Sequence, residues 1–216
     1  MQKSIFPLII CFLILNPAMT ARAQKVAIYS YPVAIELNND QGDMSSRDYL
    51  KNYGTKGKKR SVEFIYQAVS PFLLAHLTKT GMNMLSVDTL ASIKANDYGK
   101  PSTTLGKAIA SGIADEYIKV SLDDVTPPLI EGLTPQDQIS RQKKLVKMHC
   151  RIQIYDAKKT LLKEAEGEFQ SGEKIENPTE LGVDFRKYEG SDYLQELKIY
   201  ETCSKMAILR AVSKLK

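Results

Sequence analysis

The sequence predicts an α/β sandwich, with helices packed on one mixed sheet. Three observations predict it. Val26 to Ile35 (VAIYSYPVAI) is almost unbroken apolar sequence rich in β-branched and aromatic residues, the composition of a central strand covered on both faces. Lys144 to Tyr155 and Thr160 to Gln170 alternate apolar and polar residues on either side of a short polar turn, which reads as an antiparallel hairpin. From about Asp192, capped by Ser191, the residues Leu197, Tyr200, Cys203, Ala207, Ala211 and Leu215 form one stripe at helical spacing.

The remaining elements follow in order. Ser61 to Lys79 has helical spacing through Val62, Ile65, Val69, Phe72 and Leu77, and Ser70-Pro71 predicts a kink or a restart within it. Gly81 ends that helix, Met82 to Val87 is a second strand, and Asp88 caps a short helix through Ile93. Thr104 to Ile113 is a further helix with Leu105, Ile109 and Ile113 on one side. Glu116 to Leu122 places Ile118, Val120 and Leu122 on one face, as a strand does. Polar loops are expected over 36–60, 126–138 and 172–190, the first either a loop or partly helical around Tyr49.

In the hairpin, a register in which opposed residue numbers sum to 315 matches the apolar faces. It sets Arg151 opposite Glu164, His149 opposite Glu166 and Lys147 opposite Glu168, three complementary cross-strand pairs. Leu161, Ala165, Gly167 and Phe169 then share the apolar face with Lys163.

Residues 1–23 read as a secretory signal peptide. Met1-Gln2-Lys3 is a positive start, Ile5 to Leu15 an apolar core, and Ala21-Arg22-Ala23 an A-x-A cleavage site. That core has about eleven residues where a membrane span needs about twenty. Cys11 lies inside the core rather than after it, so lipidation is not expected. Removing 23 of the 216 residues leaves 193, one domain of ordinary size over 24–216. It carries 28 basic and 25 acidic residues, a balance too mild to suggest nucleic acid. Periplasmic or secreted localisation permits a disulfide, and the two cysteines that remain are Cys150 and Cys203. Sequence leaves a Cys150–Cys203 bond and two buried free thiols equally open.

The order of elements, with TLGKAIASGIADEYIKVSL (Thr104 to Leu122) feeding a strand, CRIQIYDAKKTLLKEAEGEF (Cys150 to Phe169) as a hairpin and a closing helix rich in Ala and Leu, resembles a group of bacterial envelope domains. These include the curli-export pore lipoprotein, the lipoprotein activators of penicillin-binding proteins and the N-terminal domain of the Tol-system propeller protein. The resemblance spans roughly Val26 to Val212 and implies a non-enzymatic domain that binds other envelope proteins. Two departures, the lack of a lipidation cysteine and the polarity of Glu36 to Arg60, argue against a pore.

No catalytic signature accompanies this pattern. The segments around Gly54-Thr55-Lys56-Gly57-Lys58 and Gly106-Lys107-Ala108 lack phosphate-loop spacing, and no dinucleotide fingerprint occurs. His76 and His149 lack ligand spacing for zinc, and Asn38, Asp40 and Asp43 miss a calcium-loop register, so neither metal nor cofactor is expected. Glu164, Glu166 and Glu168 line one strand face but already have cationic partners.

The densest basic run is Lys56, Lys58, Lys59 and Arg60, preceded by Tyr49 and Tyr53. Against the ordinary reading of a solvated loop, these six residues are the candidate contact for an envelope protein or an anionic envelope polymer. The expectation is a non-catalytic adaptor or assembly factor that can self-associate. Its rivals are a small-ligand binder built around Tyr29, Tyr31, Phe72, Met82 and Met84, and a carboxylate-dependent hydrolase.

Overall fold

The computed structural model describes residues 24–35, 55–86, 101–126, 146–175 and 192–215. Within them lies one mixed six-stranded sheet with helices packed on it. The strands are β1 (Lys25–Ser30), β2 (Val33–Ala34), β3 (Asn83–Met84), β4 (Glu116–Asp124), β5 (Lys147–Asp156) and β6 (Leu161–Gln170). The helices are α1 (Thr55–Lys79), α2 (Leu105–Ala110) and α3 (Asp192–Ser213). The spatial order is β3-β1-β4-β5-β6, with β2 also beside β4. β1 runs parallel to β3 and β4, whereas β5 runs antiparallel to both of its neighbours, β4 and β6.

The apolar run starting at Val26 is central, as its composition demands: Val26, Ala27, Ile28 and Tyr29 are all buried. It is not one strand. Pro32 has no N–H to give to a ladder, so the run divides into β1 and β2, which pair in succession with β4. The second strand is shorter than expected, with only Asn83 and Met84 paired to β1.

Period two divides the two faces of the sheet. On one face Val26, Ile28, Ile118, Val120, Met148, Cys150, Ile152 and Phe169 meet α1 and α3 in the main core. On the other, Ala27, Tyr29 and Tyr117 meet Ala108, with Leu105, Ile109 and Tyr155 packed around them. The helix expected to reach Ile113 stops at Ala110, since Gly112 adopts φ 62 and turns the chain into β4. Thr104 caps its start by accepting a hydrogen bond from Lys107 N.

Two expectations for the first helix are corrected. It starts at Thr55, so Thr55 to Arg60 are helical rather than the end of a loop. Gly57 is buried, and the buried Ser61 donates to its carbonyl at 2.9 Å, so packing overrides the turn signal of the glycine. Of the kink or restart expected at Pro71, the restart is excluded, because Pro71 lies inside one continuous helix. Ser70 Oγ donates to the Tyr66 carbonyl at 2.7 Å next to the proline. Tyr49, Tyr53, the Asp88 to Ile93 segment and most of the three polar loops lie outside the described residues.

The hairpin register is also corrected. Opposed residues sum to 317, with Arg151 opposite Glu166, His149 opposite Glu168 and Gln153 opposite Glu164. The turn decides this. Asp156 N donates to the Thr160 carbonyl, Lys159 takes φ 68, and Asp156 Oδ1 accepts from Lys158 N and Thr160 N. An irregularity at Leu162 then sets Leu161 opposite Tyr155 and Lys163 opposite Ile154, so Leu161 joins the tyrosine face rather than the main core.

Candidate binding surfaces

The basic run occupies the first two turns of α1, where Lys58, Lys59 and Arg60 are exposed. Lys56 lies in the same helix. The first turn carries no acidic residue, so the cations stand at the positive end of the helix dipole. This arrangement is electrostatically uphill for the isolated helix and attractive to an anion.

A second charged surface is the outer face of β5 and β6. The three expected ion pairs form, although as diagonal contacts because of the shifted register: Lys147–Glu168 at 2.5 Å, His149–Glu166 at 3.6 Å and Arg151–Glu164 at 3.8 Å. Arg151 also meets the directly opposed Glu166 at 2.5 Å. The Lys147 hydrogen bond holds the Glu168 carboxyl below its ordinary range, the reverse of what a general acid needs. These carboxylates are bound to cations rather than to one another.

The third feature is an open cleft of about 350 Å³ at the end of the sheet where β1, β4 and β6 begin. Val26, Met82, Ile154, Leu162 and Leu215 supply apolar walls, and Asn83, Glu116 and Lys163 supply polar groups. Sequence reasoning missed it, because its wall is assembled from segments far apart in the chain. The one local signal was Leu161-Leu162 among the lysines of the hairpin turn. Of the residues considered for a ligand, Met82 lines the cleft, but Tyr29 and Tyr31 belong to opposite faces of the sheet and Phe72 stacks on His76 at 4.2 Å. Tyr31, Phe72, Met82 and Met84 belong to the main core, and Tyr29 alone of the five lies on the other face of the sheet. Burial pushes the Tyr31 hydroxyl well above its ordinary pKa, and it makes no hydrogen bond.

Cys150 and Cys203 are both buried and carry free thiols, one of the two alternatives left open by the sequence. Cys203 Sγ instead donates to the Val146 carbonyl at 3.6 Å. Burial raises both thiols, Cys203 to about 12, so neither is a thiolate nucleophile at neutral pH. His76 Nδ1 lies 2.8 Å from the Phe72 carbonyl within its own helix. Among the described residues no three His, Cys, Asp or Glu side chains form a metal-holding group, and no helix is long and apolar enough to cross a membrane. No family model matches the chain, and no curated protein matches it.

Proposed function

We propose that this domain is a non-catalytic binding module of the cell envelope, exported to the periplasm or beyond it. It holds another envelope protein or an anionic envelope polymer. The observation that carries the reading is the start of α1. Cations in the first turns of a helix typically cost about 0.3–1 kcal/mol each. Here Lys58, Lys59 and Arg60 stand exposed in those turns with no acidic residue in the first turn. An anionic partner offsets the cost that the helix dipole imposes on them. The leader-like residues 1–23 supply the compartment.

Crosslinked capture of the tagged mature chain from envelope extract, read by mass spectrometry, tests the proposal. Lys58→Glu, alone and with Arg60→Glu, should abolish recovery of the captured component. Helix content should be kept, and thermal stability kept or raised, because a carboxylate suits that end of the helix. Undiminished capture by the double variant would exclude this surface.

The cleft supports a second reading, that of a small amphipathic ligand held against Met82 and Leu215 between Glu116 and Lys163. A thermal shift on adding envelope lipids or glycans to the wild type, lost in Met82→Asp, would favour it.

A further inference from the structure

The tip of the β5–β6 hairpin is built unlike the rest of the described surface. From Ala157 to Glu164 eight consecutive residues are exposed, among them Leu161 at 44% and Leu162 at 47%. They are two of the three large apolar side chains that the described residues leave exposed. The irregularity in β6 splits them: Leu161 stands opposite Tyr155 on the outer face, while Leu162 lines the cleft on the other. Lys158, Lys159 and Lys163 flank the pair in sequence and are exposed, the Lys159 ammonium beside Gly106.

Charge at this end is lopsided. Lys79 is exposed where α1 finishes, and Thr80, Leu162, Lys163 and Leu215 share the neighbouring cleft. The nearby carboxylates are mostly engaged. Asp156 accepts from Lys158 N and Thr160 N within the turn, Glu164 accepts from Gln153 Nε2 at 2.8 Å, and Asp115 accepts from Lys25 N at 2.8 Å. Lys163 Nζ donates to the neutral Leu215 carbonyl at 3.1 Å, and Glu116 lines the same cleft.

Backbone geometry adds an independent observation. Lys159 sits at φ 68, the left-handed region that glycine enters without strain. A lysine there is a strained choice that keeps one more cation at the tip.

We propose that this tip is a peripheral docking element for an anionic lipid bilayer. Leu161 and Leu162 enter the interfacial region, and Lys158, Lys159 and Lys163 lie among the head-group phosphates. Two exposed apolar side chains flanked by exposed lysines match the chemistry of such a surface, apolar at one depth and negative at the next. The assignment is independent of the α1 surface, since Lys58 lies about 30 Å up the helix from Lys79.

Co-sedimentation of the mature chain with vesicles tests it, using phosphatidylcholine alone and phosphatidylcholine mixed with phosphatidylglycerol. Binding is expected only to the mixed vesicles and should weaken as salt screens the head groups. Leu161→Ser with Leu162→Ser should lower partitioning roughly 10-fold. Lys158→Gln, Lys159→Gly and Lys163→Gln together should lower it roughly 100-fold. Lys159→Gly alone should weaken binding while keeping or raising thermal stability, which separates docking from folding. Failure of the wild type to bind the anionic vesicles would overturn the proposal. So would equal binding by the leucine variant, or self-association that the same variants abolish without any vesicle binding.

Discussion

Gly167 and Ala207 are in backbone contact: the carbonyl oxygen of Ala207 on α3 rests on the Cα of Gly167 on β6. A Cβ at Gly167 would fall inside the van der Waals envelopes of Ala207 O and Ala211 N, and 2.8 Å from Arg210 Cβ. Two of these atoms are backbone, so no rotamer change relieves the clash. The small residues Ala207 and Ala211, both fully buried, are what allow this approach. Gly167→Ala should therefore destabilise the domain by about 3 kcal/mol or more, above the usual range for overpacking. Urea unfolding measures it, and a loss below about 1 kcal/mol would mean that α3 can lift off the sheet.

The same turn of α3 closes the edge of the sheet. Arg210 Nη1 donates to the Glu168 carbonyl at 2.6 Å, Nη2 to Glu173 Oε2 at 2.8 Å, and the guanidinium lies 4.9 Å from the Phe169 ring centre. Lys214 Nζ donates to the Glu166 carbonyl at 2.8 Å, and Glu173 Oε1 accepts from Gln170 N at 2.7 Å. Outward-facing groups of an edge strand are thereby occupied by side chains, one way of preventing strand-to-strand association. Arg210→Ala should cost about 1–2 kcal/mol, and its larger effect should be on association. Sedimentation velocity should detect concentration-dependent oligomers in the variant that the wild type lacks. With its cationic partner gone, the Glu173 carboxyl should titrate closer to its ordinary value.

Some of this was legible in the chain and some was not, for identifiable reasons. Alternation located the hairpin, assigned Met148, Cys150, Ile152 and Phe169 to the core, and anticipated the Lys147–Glu168, His149–Glu166 and Arg151–Glu164 pairs. It could not set the register. A two-residue slide preserves every face and nearly every charge pairing, so the turn decides, and a left-handed lysine leaves no compositional signal. Gly54 and Gly57 advertised a loop, yet burial of Gly57 against Ser61 made helix from Thr55 onward. The cations of the candidate surface were visible as residue types, but their position at a helix start was not. The open cleft had no linear signature at all, because Met82, Ile154, Leu162 and Leu215 come from separate elements.

Cys150 and Cys203 illustrate how far a periodic pattern reaches. It placed both on core-facing positions, where they are buried, but left their oxidation state open. As unbonded thiols raised by burial, they should resist alkylation by iodoacetamide in the native protein. Both should react when the chain is unfolded in guanidinium without reductant. Mass spectrometry of a chain comprising residues 24–216 counts the adducts: two fits the structure, and none would reveal an oxidised pair.

Among the described residues, Glu201 is a buried charge at the α1–α3 interface. Its carboxylate, 6% exposed, pairs with Lys198 at 2.7 Å and Lys205 at 2.8 Å, and those ammonium groups lie over the Phe64 and Phe72 rings of α1 at 5.1 and 5.6 Å. Burial by itself would raise this carboxyl, but the two lysines outweigh it and hold it below the ordinary glutamate range. A folded-state pKa below the unfolded value means stability that is fully present above about pH 4.3 and lost as pH falls through the folded value. Glu201→Gln mimics the protonated form while keeping the shape. It should cost about 1–3 kcal/mol at pH 7, the range for a charged hydrogen-bonded group. As the pH is lowered from 7 towards 2 that difference should shrink, because the wild-type carboxyl becomes protonated as well once its folded value is passed. Urea unfolding of both proteins across this range tests the linkage. A difference that stays constant down to pH 2 would assign the cost to packing rather than to charge.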